Sequence, residues 1–252
     1  MCFERRIIFI VAVVSFLVPL CESAKVKKFP PYIQKCRQND TDFQKCLYRA
    51  LENIKPYLKD GIPELRLPKM SPLILPEVGI DAGAGFIARF ENCEIYGADK
   101  FVIEKFDVSL EENKIKFDMS FPHIRIKARY YIFGKVMFFN LDGSGPADGN
   151  ITDCRVIATM NGQRFYQQDK QYLKLTETII EDIDFGKPNF QFYELFKNNP
   201  ELTQQTNKIL NANMVELLTD LRPTLEQVIG NTVLEFIGRV FQRFSIEELF
   251  PR

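Results

Sequence analysis

The chain has 252 residues, 46% hydrophobic and 26% charged, with 33 basic residues balancing 33 acidic ones. That much apolar material suits one elongated globular domain or two small ones and excludes a disordered chain. Neutrality argues against nucleic acid and other phosphate-rich partners. The dense cationic cluster Lys25-Val26-Lys27-Lys28 reads as a solvated terminus.

Residues 1–23 have the form of a removable export signal. Arg5 and Arg6 make the basic region, Ile7 to Leu20 the apolar region, and Cys21-Glu22-Ser23 leaves small residues at the −3 and −1 positions of a cut after Ser23. A signal anchor is the alternative, but the apolar run falls short of the roughly 20 residues a span needs and Pro19 sits near its end. No later stretch is apolar enough to cross a bilayer, so the expectation is a secreted, extracellular protein without stable membrane insertion.

Six cysteines become four once Cys2 and Cys21 leave with the signal. In an oxidising compartment the closely spaced pair Cys36 and Cys46 is the easiest loop to close, and a bridge is expected there. Cys93 and Cys154 form a second candidate pair, with buried thiols as the equal alternative. The sequons Asn39-Asp40-Thr41 and Asn150-Ile151-Thr152 mark Asn39 and Asn150 as glycosylation candidates.

Asp42 to Leu58 carries Phe43, Leu47, Leu51, Ile54 and Leu58 at helical spacing, with Asp42 near the start. Gly61, Pro63, Pro68, Pro72 and Pro76 then impose an extended ribbon. From about Ile80 to Phe192 the period is two. Ile115, Phe117, Met119 and Phe121 alternate with Lys114, Lys116, Asp118 and Ser120; beyond Pro122 the apolar set becomes Ile124, Ile126, Ala128 and Tyr130. A bulge or bend at Pro122 would keep both halves facing one side. Gly134, Asp142-Gly143-Ser144-Gly145-Pro146, Gly149, Asn161-Gly162 and Gly186-Lys187-Pro188 read as turns of an antiparallel meander.

Asn199 to Phe244 reads as one very long helix with Asn199 as N-cap and Pro200 at the first helical position, kinked or restarted near Pro223 with Asp220 as a second cap. The sheet's apolar face and this rod need each other. The expected fold is α+β: a long curved antiparallel β-sheet rolled around one long C-terminal α-helix, with a short N-terminal helix.

Several motifs then carry a resemblance. Cys36, Asp42-Phe43, Cys46, Pro56-Tyr57-Leu58, Gly61-Ile62-Pro63-Glu64-Leu65, Pro72-Leu73, Pro76, Glu94-Ile95-Tyr96-Gly97, Leu210-Asn211-Ala212-Asn213, Leu221-Arg222-Pro223 and Glu248-Leu249-Phe250-Pro251 resemble the insect takeout and haemolymph juvenile-hormone-binding family. The resemblance covers the whole mature chain, residues 24–252, as a single domain. It implies a tubular lipid-binding fold with an internal cavity, and a role in hormonal, feeding or circadian-linked signalling. The near cysteine pair corresponds to the family's N-terminal disulfide. No cysteine follows Cys154, so a disulfide reaching the C-terminal part is lacking, which favours a takeout-like carrier over a true juvenile-hormone carrier.

The resemblance thus implies a carrier of a small hydrophobic ligand, such as a terpenoid, a fatty acid or a similar lipid, with no cofactor and no metal. The 23 Phe and 6 Met supply apolar wall material. Expected wall residues are Phe117, Met119, Phe121, Ile124, Ile126 and Tyr130 on the sheet, facing Leu217, Leu221, Leu225, Val228 and Phe236 on the helix. The Tyr130 hydroxyl would serve either a ligand oxygen or the protein itself. Two alternatives compete: a solid-core structural or interaction protein, and a lipid esterase using His123, the one histidine. No nucleophile elbow accompanies that histidine, and the expectation is no enzyme.

Overall fold

The computed structural model describes residues 29–83, 85–136 and 139–252, so the expected export signal lies outside the described residues. Alternation of apolar and polar side chains, interrupted in places, marks seven antiparallel strands: β1 (Leu73–Gly83), β2 (Phe86–Tyr96), β3 (Val102–Ser109), β4 (Lys114–Val136), β5 (Phe139–Gln167), β6 (Lys170–Asp184) and β7 (Lys187–Phe192). The order is β1-β2-β4-β5-β6, with β3 also pairing β4 and β7 also pairing β5. The helices are α1 (Phe43–Leu58), α2 (Pro200–Ala212), α3 (Met214–Asp220), α4 (Arg222–Arg243) and α5 (Ile246–Leu249). Among the described residues no helix is long and apolar enough to cross a membrane.

The bend at Pro122 is present and extends across the sheet. β4 and β5 keep one register throughout, with Phe121 opposite Cys154 and His123 opposite Thr152. Pro122 therefore stands across from Asp153, whose φ is +61°. Both strands reverse face together: Ile115 and Phe117 are buried before the seam and Ala128, Tyr130 and Ile132 beyond it, matched on β5 by Ala158 and Met160, then by Ala147 and Leu141. The flanking strands break at the same level. Gly97, with φ +88°, separates β2 from β3, and Gly186, with φ +56°, separates β6 from β7. A Cβ on Gly97 would lie 2.2 Å from the His123 carbonyl oxygen, and one on Gly186 would lie 2.1 Å from that of Thr152. The seam admits glycine alone at these positions.

Four of the expected turns are interior strand instead. Gly134 lies in β4, while the run Asp142 to Pro146, Gly149 and Asn161-Gly162 lie in β5. Two of these glycines let chain cross the inner face: a Cβ at Gly143 would be 2.8 Å from the Leu195 carbonyl oxygen, and one at Gly145 2.4 Å from that of Tyr193. Close backbone approach, rather than a change of direction, explains them. Gly186 remains a true turn.

The C-terminal rod runs as three segments. Asn199 caps α2 by accepting from the Leu202 N–H at 2.9 Å. Breaks fall at Asn213 and Leu221, yet backbone bonds Leu217 N to Asn213 O, Leu221 N to Leu217 O and Leu225 N to Leu221 O carry the helical ladder across them. Leu221, not Asp220, is the N-cap of α4, without a side-chain cap, so Pro223 falls in the first turn of α4 where its missing donor costs nothing. α4 touches both β6 and β1. Those are the outer strands of the sheet path, so the sheet curls until both meet one helix.

The exposed strand edges are completed by side-chain amides. Asn207 and Asn211 of α2 each bond both backbone groups of a β7 residue, Phe192 and Phe190 respectively, at 2.7–2.9 Å. Gln44 of α1 does the same for Val108 of β3, at 2.8 and 3.1 Å. Both strands pair on one side only, so each amide takes the place of a missing neighbour.

One end of the tube is closed by the disulfide-bridged segment before α1 together with the C-terminal residues. Cys36 and Cys46 are bridged, with Cα atoms 5.7 Å apart. Phe250 packs edge-on to Phe43 at 5.7 Å, and the Pro251 carbonyl accepts from Gln38 N at 2.9 Å. Ser245 and Glu248 form a capping box on α5, and Glu248 also pairs with Lys170 at 2.9 Å. Phe244, 1% exposed, anchors this end; such burial is worth about 1.5–3 kcal/mol.

Candidate hydrophobic site

The interior is filled in two places. One packed cluster joins α1, α5 and the end of α4 to β3, β6 and the adjoining halves of β4 and β5, including Phe117, Ala158, Met160 and Phe241. The second joins α2 and α3 to the other half of the sheet, including Ile80, Tyr130, Leu141, Phe192 and Leu210. Leu218 and Leu225 touch both clusters and bridge them at the junction of α3 with α4.

Between the clusters lies an apolar patch that neither absorbs. Ile124 and Ile126 share the inner face of Ala128 and Tyr130, and their cross-strand partners are Ile151 and, on β2, Ile95. All four isoleucines are only half-buried, although each projects from the concave face of the sheet. Half-buried apolar side chains on a concave face keep surface that no packed neighbour covers.

The predicted wall residues divide accordingly. Phe117 and Tyr130 belong to the packed clusters, with Met119 and Phe121 packed on the first and Leu217 and Leu221 on the second. Leu225 bridges. Ile124, Ile126, Val228 and Phe236 stand half-buried outside both clusters. Ile95 and Ile151 complete the patch and were not anticipated; their pairing with Ile126 and Ile124 depends on a register that only the folded sheet sets.

Polar groups near the patch are committed elsewhere. The Tyr130 hydroxyl donates to the Tyr193 carbonyl at 2.7 Å, and burial pushes its pKa up to about 12. On the outer face, Arg125 forms a two-bond pair with Asp148 at 3.0 and 2.6 Å, which holds the Asp148 carboxyl below its usual range. Asp118 is held down likewise by Arg155, at 2.8 and 2.6 Å. His123 is exposed on that outer face, its Nε2 3.1 Å from Asn150 Oδ1. Asn39 lies in an exposed loop.

Cys93 and Cys154 are both free thiols. Cys93 lies on β2 between residues that pair with Lys127 and Arg129 of β4, whereas Cys154 faces Phe121. Seven residues of strand separate those levels, roughly 23 Å, far beyond disulfide reach. Burial raises both thiol pKa values to about 11.

Two surface clefts are also present. One of about 340 Å³ opens beside Phe133, Lys135, Asn140 and Asp142, and one of about 280 Å³ lies between α1 and β3 beside Phe43 and Gln44. Neither is lined by a predicted wall residue.

This rolled sheet, closed by a helical rod and packed in two clusters, has counterparts. The family model for haemolymph juvenile hormone binding protein matches residues 9–251. The chain belongs to that family. A putative beta-carotene-binding protein of Schistocerca gregaria is 25% identical over 222 residues, covering 87% of this chain and 88% of that one. The circadian clock-controlled protein daywake of Drosophila melanogaster is 20% identical over 244 residues, covering 92% of each chain. The crystal structure of Takeout 1 from Epiphyas postvittana superposes with a TM-score of 0.74 at 17% identity, covering 87% of this chain and all of that one. The takeout fold is therefore shared. The family is one of hydrophobic-ligand binding proteins rather than enzymes.

Proposed function

We propose that this protein is a secreted carrier that encloses a small hydrophobic ligand of the terpenoid or lipid class between its two packed ends. The observation that carries this reading is the half-buried patch of Ile95, Ile124, Ile126 and Ile151, which faces the interior and joins neither cluster. A solid core would bury such residues to the level of Ala158 or Met160, at 0% and 1% exposure. Val228 and Phe236 of α4 supply the opposing wall in this reading. The Cys36–Cys46 bridge fits an oxidising, extracellular setting. Asn39 is the glycosylation site best placed for it, being exposed in a loop. In keeping with the relatives, the proposed service is the transport of an apolar signal or pigment through body fluid.

Organic extraction of the protein purified from its native fluid, followed by mass spectrometry, tests the reading. The expected result is an apolar compound in near-equimolar amount. An empty extract, together with no uptake of an apolar fluorescent probe, would reject it.

A further inference from the structure

We propose that the chamber selects neutral lipids and rejects their ionised acids, a narrowing that rests on the carrier reading above. Along β4 beyond the seam the side chains sort completely by charge. Ile124, Ile126, Ala128, Tyr130 and Ile132 take the inner face, while His123, Arg125, Lys127 and Arg129 are exposed on the outer one.

The outer cations stand beside acidic neighbours. Arg125 is paired with Asp148; Lys127 stands between Glu94 and Asp148 in the strand pairing, and Arg129 stands opposite Glu91. Among the described residues, Arg89 of β2 pairs with Glu77 of β1, Lys187 of β7 with Asp153 of β5, and on α4 Arg222 with Asp182 and Arg239 with Glu235. Arg239 also covers the ring of Phe236, and Arg243 lies over Phe244 in the packed end of the interior. A carboxylate entering the patch meets isoleucine. The Tyr130 hydroxyl, on the same inner face, already donates its proton to the Tyr193 carbonyl.

An unpaired carboxylate loses its hydration without compensation in such a chamber, so an acid enters only in its protonated form. The apparent affinity of an acid then falls about tenfold for each pH unit above its own pKa, whereas that of its ester stays level.

The test is displacement of N-phenyl-1-naphthylamine from the intact secreted protein by methyl palmitate and by palmitic acid. At about pH 8 the ester is expected to compete at least about 100-fold better, with the gap closing about tenfold per unit as pH falls. Ile126→Lys, which places a cation on the inner face, should strengthen competition by the acid at the higher pH, and Lys127→Ala on the outer face should change neither ligand. Equal competition by ester and acid at about pH 8 in the unaltered protein overturns the selectivity while leaving the carrier intact. Failure of both lipids to displace a bound probe, or failure of the probe to bind, overturns the carrier reading and this inference with it.

Discussion

Asn207 grips Phe192 by both backbone polar groups, accepting from its N–H at 2.9 Å and donating to its carbonyl at 2.8 Å. The second amide hydrogen of Asn207 goes to the Thr203 carbonyl at 3.0 Å, so the side chain is used fully. Asn207 is 2% exposed, and water cannot replace it cheaply. Asn207→Ala should therefore lose about 2–3 kcal/mol, since two buried backbone groups are left without partners. Urea denaturation measures it. A loss below about 0.5 kcal/mol, the level of a neutral surface change, would mean that β7 needs no clamp.

The seam makes a second prediction. At Gly186 an added methyl would combine a left-handed backbone with overlap against two carbonyl oxygens, those of Thr152 and Asp153. Gly186→Ala is expected to cost about 2–4 kcal/mol, or to prevent folding. Gly79 of β1 is the control, because its Cβ would meet nothing within 4 Å. Gly79→Ala should leave the thermal midpoint unchanged or slightly raised. Equal behaviour of the two variants would show that the paired reversal of β4 and β5 does not depend on the glycine.

The cysteines separate into two behaviours. Replacing Cys36 and Cys46 by Ser should cost about 2–3 kcal/mol, given a closed loop of about ten residues. Cys93 and Cys154 should lose their protons at higher pH in the folded chain than in the unfolded one, because burial raises each from 9.0 to about 11. The linkage has a definite sign: the folded chain keeps these protons while the unfolded chain releases them, so stability falls as pH rises from about 9 to about 11. Cys93→Ala/Cys154→Ala should flatten that fall. An unaltered slope in the double variant would assign it to other groups.

Much of this architecture is legible in residue order, and the exceptions have physical causes. The change of apolar parity between Phe121 and Ile124 announces a bend, because period two is a local property of the strand. The Asn199 cap, the Cys36–Cys46 loop and the helical spacing of α1 are local as well. Gly143 and Gly145 mislead because glycine serves both turns and close crossings, and the Tyr193 and Leu195 backbone that crosses them lies about fifty residues away. The amides of Asn207 and Gln44 were silent for a similar reason: a helix-borne carboxamide looks solvated until its strand edge is known. The candidate site was half legible. Ile124 and Ile126 follow from alternation, but which apolar residues pack and which are left over depends on how α3 and α4 bridge the two clusters.

That division gives the sharpest test of the chamber, in a pair of residues three positions apart on α4. Leu225 is half-buried but packs against both clusters, so Leu225→Phe should crowd them and cost about 1–3 kcal/mol. Val228 is half-buried outside both clusters. Val228→Phe should project into ligand space, cost under about 1 kcal/mol and weaken binding of a fluorescent apolar probe several-fold. Measuring the thermal midpoint and probe affinity on the same two samples separates the hollow from the solid interior, because each variant should move one quantity and spare the other. In a solid interior Val228→Phe would lower the midpoint as Leu225→Phe does. In an interior whose hollow lies elsewhere, Val228→Phe would leave both quantities unmoved, and the wall would have to be sought away from this flank of α4.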